Sequence, residues 1–158
     1  MNIMHLQRQL IEKLKIYVAQ LQLELRLRRW AKEIQVEEGY YAPGHHPAYP
    51  TGTRSWRNNS PGNMKYTTYT ASLGAIRADT AGFAVFATYE DGRRALVQFL
   101  KDAISGVLKR YKPDMTLIAF CTVYVEDIPS TAIIEPLHYG KNIARRLGIS
   151  EFTKIRDI

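Results

Sequence analysis

The first thirty residues carry an apolar repeat that constrains the fold more than any other part of the chain. One core position of a heptad is occupied by Met4, Ile11, Val18 and Leu25, and the other by Leu14 and Leu21. β-Branched residues at the first position with leucine at the second are typical of a parallel two-stranded coiled coil. The repeat predicts a long N-terminal coiled-coil-like helix, residues 1–29, for attachment or homo-oligomerisation. Further leucines widen its apolar face, so packing on the chain's own domain, or a membrane surface, stays open.

The helical pattern continues beyond this repeat. Trp30, Ala31 and Ile34 keep the helical spacing, and Gly39 is the residue type favoured just past a helix end. This places Glu38 on the last helical turn, at the edge of the segment that follows. Glu37, its neighbour, is the alternative acidic residue at this position.

A second informative segment is Arg57-Asn58-Asn59-Ser60-Pro61-Gly62-Asn63-Met64. Asparagine, serine and glycine tolerate left-handed backbone or hydrogen-bond within their own turns, and proline fixes one φ angle. The segment therefore predicts a tightly specified turn. Its polar side chains suit either a purely structural turn or a surface that faces a sugar.

The runs RSWRNNSPGNMKY, GFAVFATYEDGRRALVQFL and YGKNIARRLGIS resemble a phage-associated and bacterial family of lysozyme-like proteins, similar to endolysins and lytic transglycosylases. That family's hallmark is an Arg-Asn-Asn-x-Pro-Gly-Asn turn, and the likeness spans about residues 30–150. It implies a lysozyme-like α+β domain over residues 30–158, mostly helical with a small antiparallel sheet, and peptidoglycan as substrate. Ser60 departs from the family, where a third asparagine is common.

The resemblance also implies a catalytic residue. Glu38-Gly39 looks like the endolysin Glu-Gly pair, in which the acid follows the first helix of the domain. Such an acid must stay protonated near neutral pH to donate to the departing glycosidic oxygen, and burial beside another carboxylate raises its pKa. We expect burial against Trp30, Tyr40 or Tyr41.

A second carboxylate would decide the mechanism. Asp79 is the only acidic residue between Glu38 and Glu90, and it is either this carboxylate or part of a turn over residues 79–82. Its distance from Glu38 would separate retaining from inverting hydrolysis. Lytic transglycosylases, which this architecture resembles, use a single glutamate and the acetamido group of the substrate. Muramidase and lytic transglycosylase therefore both remain open.

The expected substrate contacts fall on the turn and on neighbouring aromatic residues. They are Asn58, Asn59, Asn63 and Tyr66, with Tyr41 and Trp56 as residues that could stack on sugar faces. His45 and His46 lie in the Pro- and Tyr-rich loop between Tyr40 and Trp56. No cysteine or helical HExxH spacing accompanies this pair, so we expect neither a metal nor another cofactor.

Local patterns predict the remaining elements. Strands are expected over 64–69, 73–78 and 82–87, from their content of Thr, Tyr, Ile, Val and Phe. Helices are expected from a Thr88 cap to about Lys109, from a Thr116 cap to Val125, and from Pro136 to Arg146, with Gly148 ending the last.

Composition bounds the function. The 158 residues carry 22 basic and 15 acidic side chains, a net charge of +7, which favours a polyanionic partner. The basic residues are scattered without a binding motif, so nucleic acid is the less favoured partner.

The single Cys121 is expected to be buried. Neither a signal peptide nor a transmembrane span is recognised, which leaves localisation open, with virion association or release by lysis as routes to the wall. A catalytically inactive virion or wall-binding protein is the alternative to an enzyme.

Overall fold

The computed structural model describes residues 3–126 and 136–158, and its first element is one long helix. Helix α1 runs without interruption over Ile3–Glu37, so the predicted coiled-coil-like segment and the segment after it are continuous. Burial begins only at Leu27 and includes Trp30, Ala31 and Ile34. Gly39 follows in the left-handed region, with φ +59°, as expected for the residue after a helix end.

The loop after α1 is closed by Thr53. The backbone N–H of Thr53 donates to the Tyr41 carbonyl at 2.9 Å, and the Tyr41 N–H donates to the Thr53 hydroxyl at 3.1 Å. Thr53 also caps the short helix α2, Arg54–Arg57. The loop's two ends are therefore held together next to the end of α1.

The β-region is smaller than the sequence predicts. Strands β1, Arg77–Ala78, and β2, Ala84–Val85, pair antiparallel, and an isolated bridge joins Lys65 to Phe83. The predicted strand over 64–69 is therefore wrong beyond this bridge. Thr67 and Thr70 form a reciprocal capping box that starts helix α3, Thr68–Ser72, because side-chain caps outweigh the β-propensity of a short Thr-Tyr run.

Three longer helices complete the domain: α4, Tyr89–Ile104; α5, Leu117–Glu126; and α6, Pro136–Leu147. Thr88 caps α4 as predicted. Helix α4 ends five residues before the expected Lys109, since Gly106 adopts φ +75° and turns the chain away. A 3₁₀ turn, Ile155–Asp157, follows α6.

The core lies where α1, α4, α5 and α6 meet. Helix α5 packs on α6, and α1 packs on both α6 and α4. Trp30 of α1 contacts Phe120 of α5, with ring centroids 4.8 Å apart, and Cys121 beside it is a buried free thiol as expected. The architecture is the predicted mostly helical α+β arrangement, with a small antiparallel sheet and a long N-terminal helix.

Candidate active site

Glu38 is the first residue after α1, and the local backbone determines where its side chain points. Its N–H still donates to the Ile34 carbonyl at 2.8 Å, as in a helix, while Gly39 donates to Val36 at 3.1 Å and reverses the chain. Glu38 therefore keeps the direction of the last helical turn. That direction leads its carboxyl group into the domain, toward α6.

The carboxyl group of Glu38 lies between α6, α5 and the polar turn. The Tyr139 hydroxyl donates to its Oε1 at 2.9 Å, and the Asn63 side chain also hydrogen-bonds it. Burial raises the pKa of Glu38 from 4.5 to about 7, against the opposing effect of these two hydrogen bonds, and the neighbouring charge of Glu37 adds to the rise. At neutral pH a large fraction of Glu38 is therefore a neutral carboxylic acid.

Two buried tyrosines form the wall around this acid. Tyr139 is fully buried and Tyr124 nearly so, and their ring centroids lie 6.3 Å apart. Burial, together with the nearby Glu38 charge, raises the pKa of both phenols well above 10. Both hydroxyls consequently remain neutral donors over the whole physiological range. The predicted burial of Glu38 is thus supplied by residues of α5 and α6, which the sequence analysis did not single out.

Glu37, the alternative acid, is engaged in a different contact. Arg146 Nη2 donates to its Oε1 at 2.6 Å, and Asn142 Nδ2 donates to its Oε2 at 3.4 Å. Arg146 also contacts Glu33 Oε2 at 2.6 Å. Glu37 therefore joins α1 to α6 through its contacts with Arg146 and Asn142, apart from the contacts of Glu38.

The first two asparagines of the polar turn hold it in place. Asn58 Nδ2 donates to Asp79 Oδ2 at 2.8 Å, and Asn59 Nδ2 donates to the carbonyls of Phe86 and Ala87 at 3.1 and 3.2 Å. Asn59 has φ +51°, in the left-handed region that asparagine tolerates. The amide N–H groups of both predicted substrate ligands are thus already committed to contacts within the protein.

Close packing of the turn on α4 depends on a glycine that the sequence analysis did not identify. A Cβ built on Gly92 would lie 1.8 Å from the carbonyl oxygen of Asn59. Tyr124 donates its hydroxyl to the Gly62 carbonyl from the other side. The turn is therefore clamped between α4 and α5. Gly92 follows the Thr88 cap by four residues, within the first turns of a helix, where glycine is otherwise unfavourable.

Asn63 differs from the two preceding asparagines. It adopts φ +47° and directs its side chain to the Glu38 carboxyl group. Its Oδ1 atom is buried and has no hydrogen-bond partner among the described residues. Leaving a buried acceptor unpaired is costly, so Asn63 is held beside Glu38 at an energetic cost.

Asp79 has a full set of partners within the β-region. Its Oδ1 accepts from the backbone N–H groups of Ala81 and Phe83 at 2.9 and 2.8 Å, and its Oδ2 accepts from Asn58 and lies 3.4 Å from Arg54 Nε. Burial acts to raise the pKa of Asp79, but these hydrogen bonds and the Arg54 charge outweigh it, so the pKa is lowered. The predicted turn over 79–82 is confirmed, and Asp79 organises it.

The predicted aromatic contacts are only partly brought to the acid. Tyr41 stacks on His46 with ring centroids 5.1 Å apart and remains 37% exposed close to Glu38 in the chain. Tyr66 is exposed and donates its backbone N–H to Gly82. Among the described residues, no hydrogen bond or ring contact joins Tyr66 or Trp56 to Glu38. Their substrate contacts stay predictions.

A cavity of about 500 Å³ borders this region. It is lined by Met64, the neighbour of Asn63, and by Tyr124, whose pKa responds to the Glu38 charge. Lys65 and Tyr69 lie on its other side. A larger cavity of about 790 Å³ lies between α1 and α4, where its lining starts at Gln20, well before Glu38 in the helix. Glu38 itself lines neither cavity, and Tyr124 is the residue that the smaller one shares with the surroundings of the acid.

In residues 3–126 and 136–158, no group of three or more His, Cys, Asp or Glu side chains is placed to hold a metal ion. None of the described helices is both long and apolar enough to cross a membrane.

No protein-family profile, curated protein or solved structure matches this chain.

Proposed function

We propose that this protein is a peptidoglycan-degrading glycosidase that cleaves the bond between N-acetylmuramic acid and N-acetylglucosamine, with Glu38 as general acid. The observation that supports this most is the half-buried Glu38, whose pKa is raised by burial to about 7, at the end of the first helix and in contact with the polar turn. A general acid works best when its pKa lies near the working pH. The likeness of this turn and of Glu38-Gly39 to lysozyme-like proteins supplies the substrate class and the lysozyme-like fold in this proposal.

The hydrogen bond from Tyr139 determines which oxygen of Glu38 donates. Because the Tyr139 hydroxyl donates to Oε1, the proton of the neutral acid resides on Oε2. In the reaction this proton moves to the glycosidic oxygen as the bond from that oxygen to the anomeric carbon breaks. The Glu38 carboxylate that remains is stabilised by donors from Tyr139 and Asn63, and the water or internal hydroxyl that later attacks the anomeric carbon gives its proton back to Glu38.

A single acid is the version of the mechanism that these contacts support. Both oxygens of Asp79 already accept hydrogen bonds, so its use as nucleophile or base would require breaking the turn. The acetamido oxygen of the substrate can instead attack the anomeric carbon. An internal hydroxyl or a water then completes the reaction, giving a 1,6-anhydro or a reducing end.

The test is mass spectrometry of soluble products released from purified peptidoglycan. Wild-type protein should release muropeptides, and a folded Glu38→Gln variant should release none. Glu37→Gln is the matched control, with the same change at the adjacent residue, and should retain release because Glu37 contacts Arg146 and not the acid's pocket. Release by Glu38→Gln, or its loss only in Glu37→Gln, would disprove the assignment.

The second candidate is a catalytically inactive lysozyme-like virion or wall-binding protein. An exposed Glu38 with an ordinary pKa would have favoured it, whereas Glu38 is half-buried and burial raises its pKa. Co-sedimentation with insoluble peptidoglycan, without any released product from wild type, would make this second function the better one.

A further inference from the structure

Helix α1 has two apolar faces, and only one of them packs on the domain. The domain-facing residues are Leu27, Trp30, Ala31 and Ile34, all buried. The heptad residues of the N-terminal two-thirds of the helix are 42 to 67% exposed. These residues, here called the α1 stripe, are Met4, Ile11, Leu14, Val18, Leu21 and Leu25.

The α1 stripe points away from the domain. At about 100° of rotation per helical residue, the centre of the stripe lies about 180° from the centre of the domain-facing set. The helix therefore does not bury the stripe against its own described domain. The stripe is instead presented on the outer side of a helix segment that extends beyond the core.

The exposed apolar area around the stripe is as large as that of a stable protein interface. Together with the adjoining Leu10 and Tyr17, which are 68% and 58% exposed, it presents roughly 900 Å² of apolar surface, above the about 300–600 Å² of the largest patch on a typical monomer. A stable protein interface buries about 800 Å² per partner. The stripe together with Leu10 and Tyr17 offers that much.

We propose that residues 3–25 form a parallel two-stranded coiled coil with the same segment of a second copy of this chain. Ile11 and Val18 at one core position and Leu14 and Leu21 at the other are the side chains that favour two parallel strands. Since the domain lies on the opposite side of each helix, two copies can pair along the stripe with both domains on the outside.

Charge supports the parallel orientation. The cations Arg8 and Lys15 share one position that flanks the seam, and the flanking position on its other side carries Ile3, Leu10 and Tyr17. In an antiparallel pair, cations from the two copies would face one another across the seam. In a parallel pair, Arg8 and Lys15 lie opposite Ile3 and Leu10 of the other copy, so the like charges do not meet.

The first test is the mass of the complete 158-residue protein by analytical ultracentrifugation between about 1 and 100 µM, a range that covers interfaces of moderate affinity. The expected result is a species of twice the 18.1 kDa chain mass. A single-chain mass throughout this range would overturn the proposal.

The chain offers a matched pair of variants. Leu14 and Ile16 are each 59% exposed and lie in one turn of α1, but Ile16 points to the domain side and Leu14 lies in the stripe. Leu14→Glu should raise the dimer dissociation constant by about 100-fold or more, because two apolar side chains lose their burial. Ile16→Glu should change it little. Equal effects of the two variants, at equal helix content by circular dichroism, would contradict a seam at the stripe.

Orientation and the membrane alternative are tested separately. Leu14→Cys should form an interchain disulfide on mild oxidation, since equivalent seam positions meet only in a parallel in-register pair, while Cys121 is fully buried. A dimer without this cross-link would refute the parallel arrangement. A monomer that binds vesicles of 3:1 phosphatidylcholine and phosphatidylglycerol through Leu14, but not through Ile16, would replace the second copy by a lipid surface.

Discussion

Replacing Glu38 by glutamine should make the protein more stable at neutral pH. Glutamine is close in shape to the neutral acid and can still accept from Tyr139, but it cannot ionise in the buried site. The pKa of Glu38 rises from 4.5 to about 7 on folding, and at about 1.4 kcal/mol per pKa unit this costs the folded wild type about 3 kcal/mol once Glu38 is ionised.

The sign and the pH range follow from these two pKa values. Below pH 4.5 Glu38 is neutral in both states, so wild type keeps the full stability of the neutral acid. As pH rises from 4.5 through 7, the unfolded chain ionises first, and wild type loses stability relative to Glu38→Gln. Above this range the difference reaches its plateau of about 3 kcal/mol, which corresponds to about 6–12 °C in Tm for a chain of this size.

The assay is urea unfolding followed by circular dichroism at pH 4 to 8.5 for wild type, Glu38→Gln and Glu90→Gln. Glu90 is exposed on α4, so its variant should show no such rise between pH 5.5 and 8.5. A difference between wild type and Glu38→Gln that stays flat over the whole range would show that Glu38 is not a buried neutral acid. The general-acid argument would then fail, whatever the products on peptidoglycan.

Three other predictions concern the same region. Tyr139→Phe removes a hydrogen bond that lowers the pKa of Glu38. The pH at which the rate of muropeptide release falls off on the alkaline side should therefore rise by up to about one unit. An unchanged pH profile of this rate would refute the prediction. Gly92→Ala should destabilise by more than about 3 kcal/mol, because its methyl would meet a turn carbonyl at 1.8 Å, whereas Gly140→Ala, with its nearest contact at 3.1 Å, should cost less in the same thermal melts. Asp79→Asn should cost about 1–3 kcal/mol of stability and retain product release; a stably folded variant without release would instead make Asp79 catalytic.

The helices were predictable because their signals are local. The seven-residue repeat, the Thr88 cap and Gly39 each act within a few neighbouring residues. The predicted strand over 64–69 was wrong because the Thr67 and Thr70 side chains cap a helical turn, a contact that β-propensity ignores. The end of α4 was misplaced because apolar spacing continues past Gly106, which nevertheless terminates the helix.

Of the candidate active site, the sequence predicts the acidic residue but not the residues that surround it. Glu38 could be singled out from its place at a helix end, but the source of its burial could not. Tyr139 lies 101 residues away along the chain, and no local pattern shows that α6 covers the end of α1. The sugar contacts of Asn58 and Asn59 stay predictions. Their hydrogen bonds within the protein could not be predicted, because an amide side chain can bind a ligand or a neighbouring carbonyl equally well.

Because α1 is unbroken, it sets the distance between Glu38 and the N-terminal end of the helix. Its 35 residues span about 50 Å at 1.5 Å per residue, and no proline or glycine within them provides a hinge. Glu38 therefore sits at one end of a stiff rod whose other end is the N-terminal tip. If the proposed glycosidase activity holds, a structure that binds this tip would set the distance at which a glycan strand is cut. Lengthening or shortening the helix by whole turns would then move the cleavage position by about 5.4 Å per turn.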